Sequence, residues 1–119
     1  MSAPAWLTAR PIAHRGLHAR ENGIVENTLS AAQAAIERGF SIECDVQLTS
    51  DGNAAVFHDF TLEGLTKGSG EVVSRSAAAL SALTLKDSTD RISRLEAFLE
   101  VIGGRTPLII EIKSQHDGD

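Results

Sequence analysis

The chain has 119 residues, enough for about one modest domain, and its 42% hydrophobic and 23% charged residues are an ordinary globular balance that excludes disorder, collagen and coiled coil as readings of the whole. Eleven Lys and Arg against sixteen Asp and Glu leave a net charge of −5, which draws the chain to neither nucleic acid nor an anionic membrane surface, so any phosphate must be handled by a few placed cations. No apolar run approaches the roughly 20 residues that span a bilayer, Met1 to Arg10 lacks a signal-peptide pattern, and Cys44 alone offers no disulfide framework, so a soluble cytoplasmic protein is expected.

Pro11 to His14 reads as a first strand, closing on Arg15 and Gly16. After a loop through Glu21, Asn22 and Gly23, Asn27 and Thr28 offer an N-cap for a helix to about Arg38, with Leu29, Ala32 and Ile36 on one face. Gly39 stops it as a left-handed C-terminal residue. The second strand, Ser41 to Leu48, alternates: Ile42, Cys44, Val46 and Leu48 point one way and Glu43, Asp45 and Gln47 the other, so two carboxylates share a face. Asp51-Gly52 turns the chain into a third strand, Ala54 to Phe57, ending at His58 and Asp59.

From Thr61 to Ser74 the chain reads as a long loop with room for a short hairpin, and Ser76 to Leu83 as a short helix. Ser93 followed by Glu96 forms a capping-box signature for the next helix, whose stripe is Leu95, Phe98, Leu99 and Ile102 and whose end is Gly103-Gly104. Pro107 leads into a fourth strand, Leu108 to Lys113, with Leu108, Ile110 and Ile112 on one side and Ile109, Glu111 and Lys113 on the other. Strands alternating with helices, and polar residues at strand C-terminal ends, predict an α/β fold: the first half, strands 1–4, of a (β/α)8 TIM barrel, which needs about 250 residues in all. The chain is thus expected to be one partial barrel domain over residues 1–119, truncated at its C-terminus.

The strand ends collect His14 and Arg15, Glu43 and Asp45, His58 and Asp59, and Glu111 and Lys113 at one rim. Three converging carboxylates repel one another unless a hard cation with oxygen ligands neutralises them, which suits Mg²⁺ or Ca²⁺ better than zinc. Two histidines beside such an ion can serve as general acid and base near neutral pH, and Arg15 and Lys113 can hold a phosphate. This set of groups suggests phosphodiester cleavage.

The pieces Ile12-Ala13-His14-Arg15-Gly16, Glu26-Asn27-Thr28, Glu43-Cys44-Asp45-Val46, Asp51-Gly52, Val56-Phe57-His58-Asp59 and Glu111-Ile112-Lys113, in that order, resemble the N-terminal half of a glycerophosphodiester phosphodiesterase. The resemblance covers most of residues 11 to 113. It implies a barrel enzyme that hydrolyses glycerophosphodiesters to glycerol 3-phosphate and an alcohol with one divalent cation. By the same likeness Glu43, Asp45 and Glu111 are metal ligands, His14 and His58 the acid/base pair, and Arg15 and Lys113 phosphate contacts; Glu26 and Asn27 sit near the metal or hold the loop that shapes the site, and Asp59 orients His58. Ile92-Ser93-Arg94-Leu95 departs from the Pro-Thr-Leu type of lead-in usual in the family.

Two rivals are a related barrel phospholipase acting on sphingolipid or lysophospholipid headgroups and a non-catalytic half-barrel remnant. Cys44 points away from the carboxylates and reads as a small buried hydrophobe. A half barrel leaves the first and fourth strands as open edges, an invitation to self-association.

Overall fold

The structure, a computed structural model, describes residue 5 and residues 9–114. In chain order the elements are β1 (Ile12–His14), α1 (Leu29–Glu37), β2 (Ser41–Leu48), β3 (Ala54–Val56), α2 (Ala77–Ser81), β4 (Ser93–Arg94), α3 (Leu95–Ile102) and β5 (Leu108–Ile112), with 3-10 turns at Arg20–Asn22 and Val72–Ser74. The terminal polar segment 115–119 lies outside the described residues.

β1 and β5 both pair with β2 in parallel, His14 opposite Glu43 and Glu111 opposite Asp45. On one face of these strands Ala13, Ile42, Cys44 and Val46 pack with Ala32 and Ala35 of α1 and Phe98 and Ile102 of α3. Parallel strands backed by helices are the expected barrel layers, and the alternation along β2 sorts its side chains as read from the sequence.

Thr28 caps α1, its hydroxyl accepting from the Ala31 N–H, and Gly39 follows the helix at φ 72. The buried face of α1 is Ala31, Ala32 and Ala35, whereas Leu29 is exposed. Small residues let the backbone come close: a Cβ on Gly16 would lie 2.7 Å from the Ala31 Cβ.

Two expectations are corrected. The third strand, β3, lies where predicted but runs antiparallel to β2, Val46 opposite Val56. Only residues 49–53 separate the two, and a parallel crossover needs about a dozen. The parallel strands therefore number three among the described residues: β1, β2 and β5. Ser93 does not cap α3; it is held in β4 opposite Val56, its hydroxyl donates to Arg94 O, and Arg94 takes the N-cap position without a side-chain bond.

Residues 49–94 thus form an excursion between two parallel strands, with its own apolar cluster of Ala55, Phe57, Leu62, Val72, Leu80, Leu85 and Ile92. The expected loop at 61–74 folds back on itself through a Thr61–Glu71 bridge, with Leu62 N–H donating to Gly70 O. Beside β5, Ile110 and Ile112 are exposed and line an apolar groove of about 950 Å³ with Leu48, Val73 and Leu95. No helix among the described residues is long and apolar enough to cross a membrane.

Candidate functional site

β2 organises the site because it is longer than either strand on its first edge. Ser41 N–H donates to Pro11 O before β1, and Asp45 O accepts from Phe57 N–H at the end of β3, whereas Ile42 N–H and Val46 O bond Pro107 and Lys113 on the β5 side. Successive residues of a strand send their backbone groups to opposite edges. β1 and β3 therefore share one edge of β2 and run toward each other along it. The antiparallel turn of β3 is what returns His58 to the rim where β1 ends at His14.

On the β2 face opposite the helices, Glu43 and Asp45 meet Glu111 from β5: one carboxylate oxygen of each lies within 4.8 Å of the others. Asp45 is buried, and Glu43 nearly so, with its Oε2 shut away from solvent and without a hydrogen-bond partner. Burial pushes the Glu43 carboxyl above its ordinary value and neighbouring Asp45 adds to this, while the Arg15 N–H, donating to Glu43 Oε1 at 3.0 Å, and His14 draw it down. A buried acceptor with no donor, in a cluster of three carboxylates, is a donor set that fits a hard divalent cation.

The other expected residues surround this cluster. His14 is exposed, with Nε2 3.6 Å from Glu43 Oε1. Arg15 gives Nη1 to both oxygens of Glu26, at 3.3 and 3.1 Å, and its Nε lies 3.5 Å from Asp45 Oδ2. Lys113 Nζ stands 2.6 Å from Glu111 Oε2, and this hydrogen bond, aided by Glu111's charge, holds the ammonium above its ordinary value. His58 is met by its neighbour: Nδ1 lies 3.0 Å from Asp59 Oδ1. Asn27 is buried against Asp45. The acidic cluster, His14, Arg15, Lys113, Glu26 and Asn27 form one connected group, whereas the polar contact of the His58 side chain is with Asp59.

Sequence reading missed Gln47 and Asp90. The buried Gln47 amide donates to Phe57 O at 2.8 Å and Asp59 O at 2.6 Å, fastening the carbonyls on either side of His58. Its place on the carboxylate face of β2 was the available signal. Asp90 accepts from Val25 N–H and the Ser30 hydroxyl, tying the excursion to the start of α1; nothing in its polar, aperiodic surroundings marked it.

Residues 14–117 match the model of the glycerophosphoryl diester phosphodiesterase family. The chain belongs to that family. It is 39% identical over 111 residues to a glycerophosphodiester phosphodiesterase of Caldanaerobacter subterraneus, covering 87% of this chain and 44% of that protein. A mouse glycerophosphodiester phosphodiesterase 1 is 32% identical over 116 residues, covering 89% and 34%. Among solved structures, the glycerophosphodiester phosphodiesterase of Agrobacterium tumefaciens superposes with a TM-score of 0.79 at 33% identity, over 88% of this chain and 47% of that one. A phosphodiesterase of Oleispira antarctica, solved with the product sn-glycerol-3-phosphate, gives 0.77 at 31% identity, over 87% and 44%. The fold is therefore that of the family's TIM barrel in part, and the chain spans less than half the length of these relatives.

Proposed function

We propose that the protein hydrolyses glycerophosphodiesters to glycerol 3-phosphate and an alcohol with one divalent cation, Mg²⁺ or Ca²⁺. The observation that carries this reading is the meeting of Glu43, Asp45 and Glu111 at the rim to which β1 and β3 deliver His14 and His58. When bound, the cation would be held by these three carboxylates and would polarise the phosphoryl oxygens.

His14 and His58 divide the proton work. One imidazole accepts the proton of the attacking water, or of a substrate hydroxyl whose cyclic phosphate water then opens, and the other, protonated, gives its proton to the departing alkoxide as the P–O bond breaks. Asp59, at Nδ1 of His58, favours the tautomer that keeps that proton and leaves Nε2 for the reaction. Lys113 supplies a point charge and Arg15 a guanidinium edge to the phosphate; Arg15's bonds to Glu26 hold that guanidinium in place.

The test is release of glycerol 3-phosphate from glycerophosphocholine, measured in the protein that carries this chain, with chelator and with each cation restored. His14→Ala and His58→Ala are each expected to lower turnover by about 100-fold or more while the circular dichroism spectrum stays native. Near-normal turnover in either variant would overturn the acid/base assignment, and full activity in chelator would overturn the metal.

A further inference from the structure

We infer that Asn27 is a positioning residue for the candidate metal centre: its side-chain amide closes the gap between β1 and β3 on the edge of β2 and there fixes the carboxylate plane of Asp45. This rests on the metal reading proposed above. β1 ends opposite Glu43 and β3 reaches β2 at Asp45 O, so the Asp45 N–H has no backbone partner. Asn27 Oδ1 takes that hydrogen at 3.1 Å, and Asn27 Nδ2 donates to Asp45 Oδ2, also at 3.1 Å. One amide thus grips one residue twice, at its backbone and at its carboxylate.

The residue type follows from this double task. Among side chains of this length, asparagine alone carries an acceptor and a donor on one planar group at neutral pH, where the aspartate carboxylate only accepts. Asn27 also stands at φ 59, a left-handed conformation that asparagine tolerates better than most residues, and its own N–H donates to the carbonyl of Arg15, itself at φ 60. Two left-handed residues bonded to each other, both reaching Asp45 Oδ2, are the kind of local strain that persists where the surroundings over-determine it. Asp45 Oδ2 receives Asn27 and faces Arg15 Nε at 3.5 Å, which stops the carboxylate from rotating out of the cluster with Glu43 and Glu111. Partners that orient a metal's own ligands typically contribute 10- to 100-fold to affinity.

The experiment is calorimetric titration of the protein with CaCl₂ alone, paired with urea unfolding in chelator. Asn27→Gly keeps the left-handed backbone and removes the amide, and is expected to weaken Ca²⁺ binding by about 10- to 100-fold. In an Asp45→Asn background the same change is expected to add little, because the residue acts through Asp45. Equal weakening in both backgrounds, or none in either, would overturn the positioning role. A wild-type protein that binds neither Ca²⁺ nor Mg²⁺ would overturn the metal reading itself and this inference with it. Should Asn27→Gly fail to fold, Asn27→Asp decides: it keeps the acceptor for the Asp45 N–H and adds a negative charge, so weaker Ca²⁺ binding supports orientation, while tighter binding shows that charge alone matters.

Discussion

In the parallel layer, β1, β2 and β5 pair over three to five positions each and are backed by α1 and α3 around Ile42, Cys44 and Phe98. In the excursion, strands of two and three residues, isolated bridges and a five-residue helix surround Leu62, Val72 and Leu80. Side chains there do much of what backbone ladders do in the layer: Thr66 donates to Leu62 O, Lys86 to Glu63 O and Ser88 to Gly23 O. Each region contributes one histidine, and the candidate site lies along their seam. The layer therefore sets where the carboxylates stand, and the excursion sets where His58 stands, beside Asp59.

The largest test of this difference removes a buried side chain from each core. Phe98 and Leu62 are both fully buried, and truncation to alanine is expected to cost about 3–5 kcal/mol for Phe98→Ala and about 2–5 for Leu62→Ala in urea unfolding. The ranges overlap, so amide exchange makes the distinction. If the excursion opens while the layer stays folded, Leu62→Ala should speed exchange in both regions, whereas Phe98→Ala should speed it in β2 and leave residues 61–92 unchanged. Equal acceleration of residues 61–92 by both variants would mean that layer and excursion open as one unit.

The same contrast explains what could be read beforehand. Period-two alternation in Ser41–Leu48 and the capped, glycine-ended run after Thr28 leave strong marks because one face must be buried, so β2, α1 and the pairing of Glu43 with Asp45 on one face were legible. The direction of β3 was legible too, in the short Asp51-Gly52 turn, but strand-end polarity suggested a fourth parallel strand and masked it. Ser93 reads as a cap by local sequence and becomes a strand residue because Val56 pairs with it. Asn27 offered two readings, helix cap or site residue. Thr28 took the cap, and the amide was free for Asp45. Long-range bonds such as those of Gln47 and Asp90 depend on which loops meet, and no periodicity encodes that.

A smaller effect is expected at the joint between the two regions. Asp51, in the turn leaving β2, accepts from the Thr49 hydroxyl and from the N–H of Ala77 at the start of α2, and these bonds hold its carboxyl below the ordinary 3.8. A group whose pKa is lowered by folding stabilises the fold above its unfolded value and loses that contribution as pH falls through the folded one. Asp51→Asn should therefore unfold at lower urea than wild type at neutral pH, and the gap should narrow below about pH 4. A gap that stays constant with pH would show that the bonds do not depend on the charge.

The gentlest probe reads the opening of each region through one buried thiol. Cys44 is fully buried, and burial foremost, with Glu43 and Asp45 beside it, pushes its thiol up to about 12. Thiolate is the reactive form, so an alkylating reagent should leave native Cys44 untouched and modify it only when the layer opens. Val72→Cys in a Cys44→Ala background places a thiol at an equally buried position in the excursion. If the excursion is held mainly by side-chain bonds and short strands, that thiol should react faster under native conditions, because local opening there requires less free energy than opening of β2. Equal rates for the two thiols would instead tie His58 to the same cooperative unit as the carboxylates, and the seam between them would be a boundary of architecture without being one of stability.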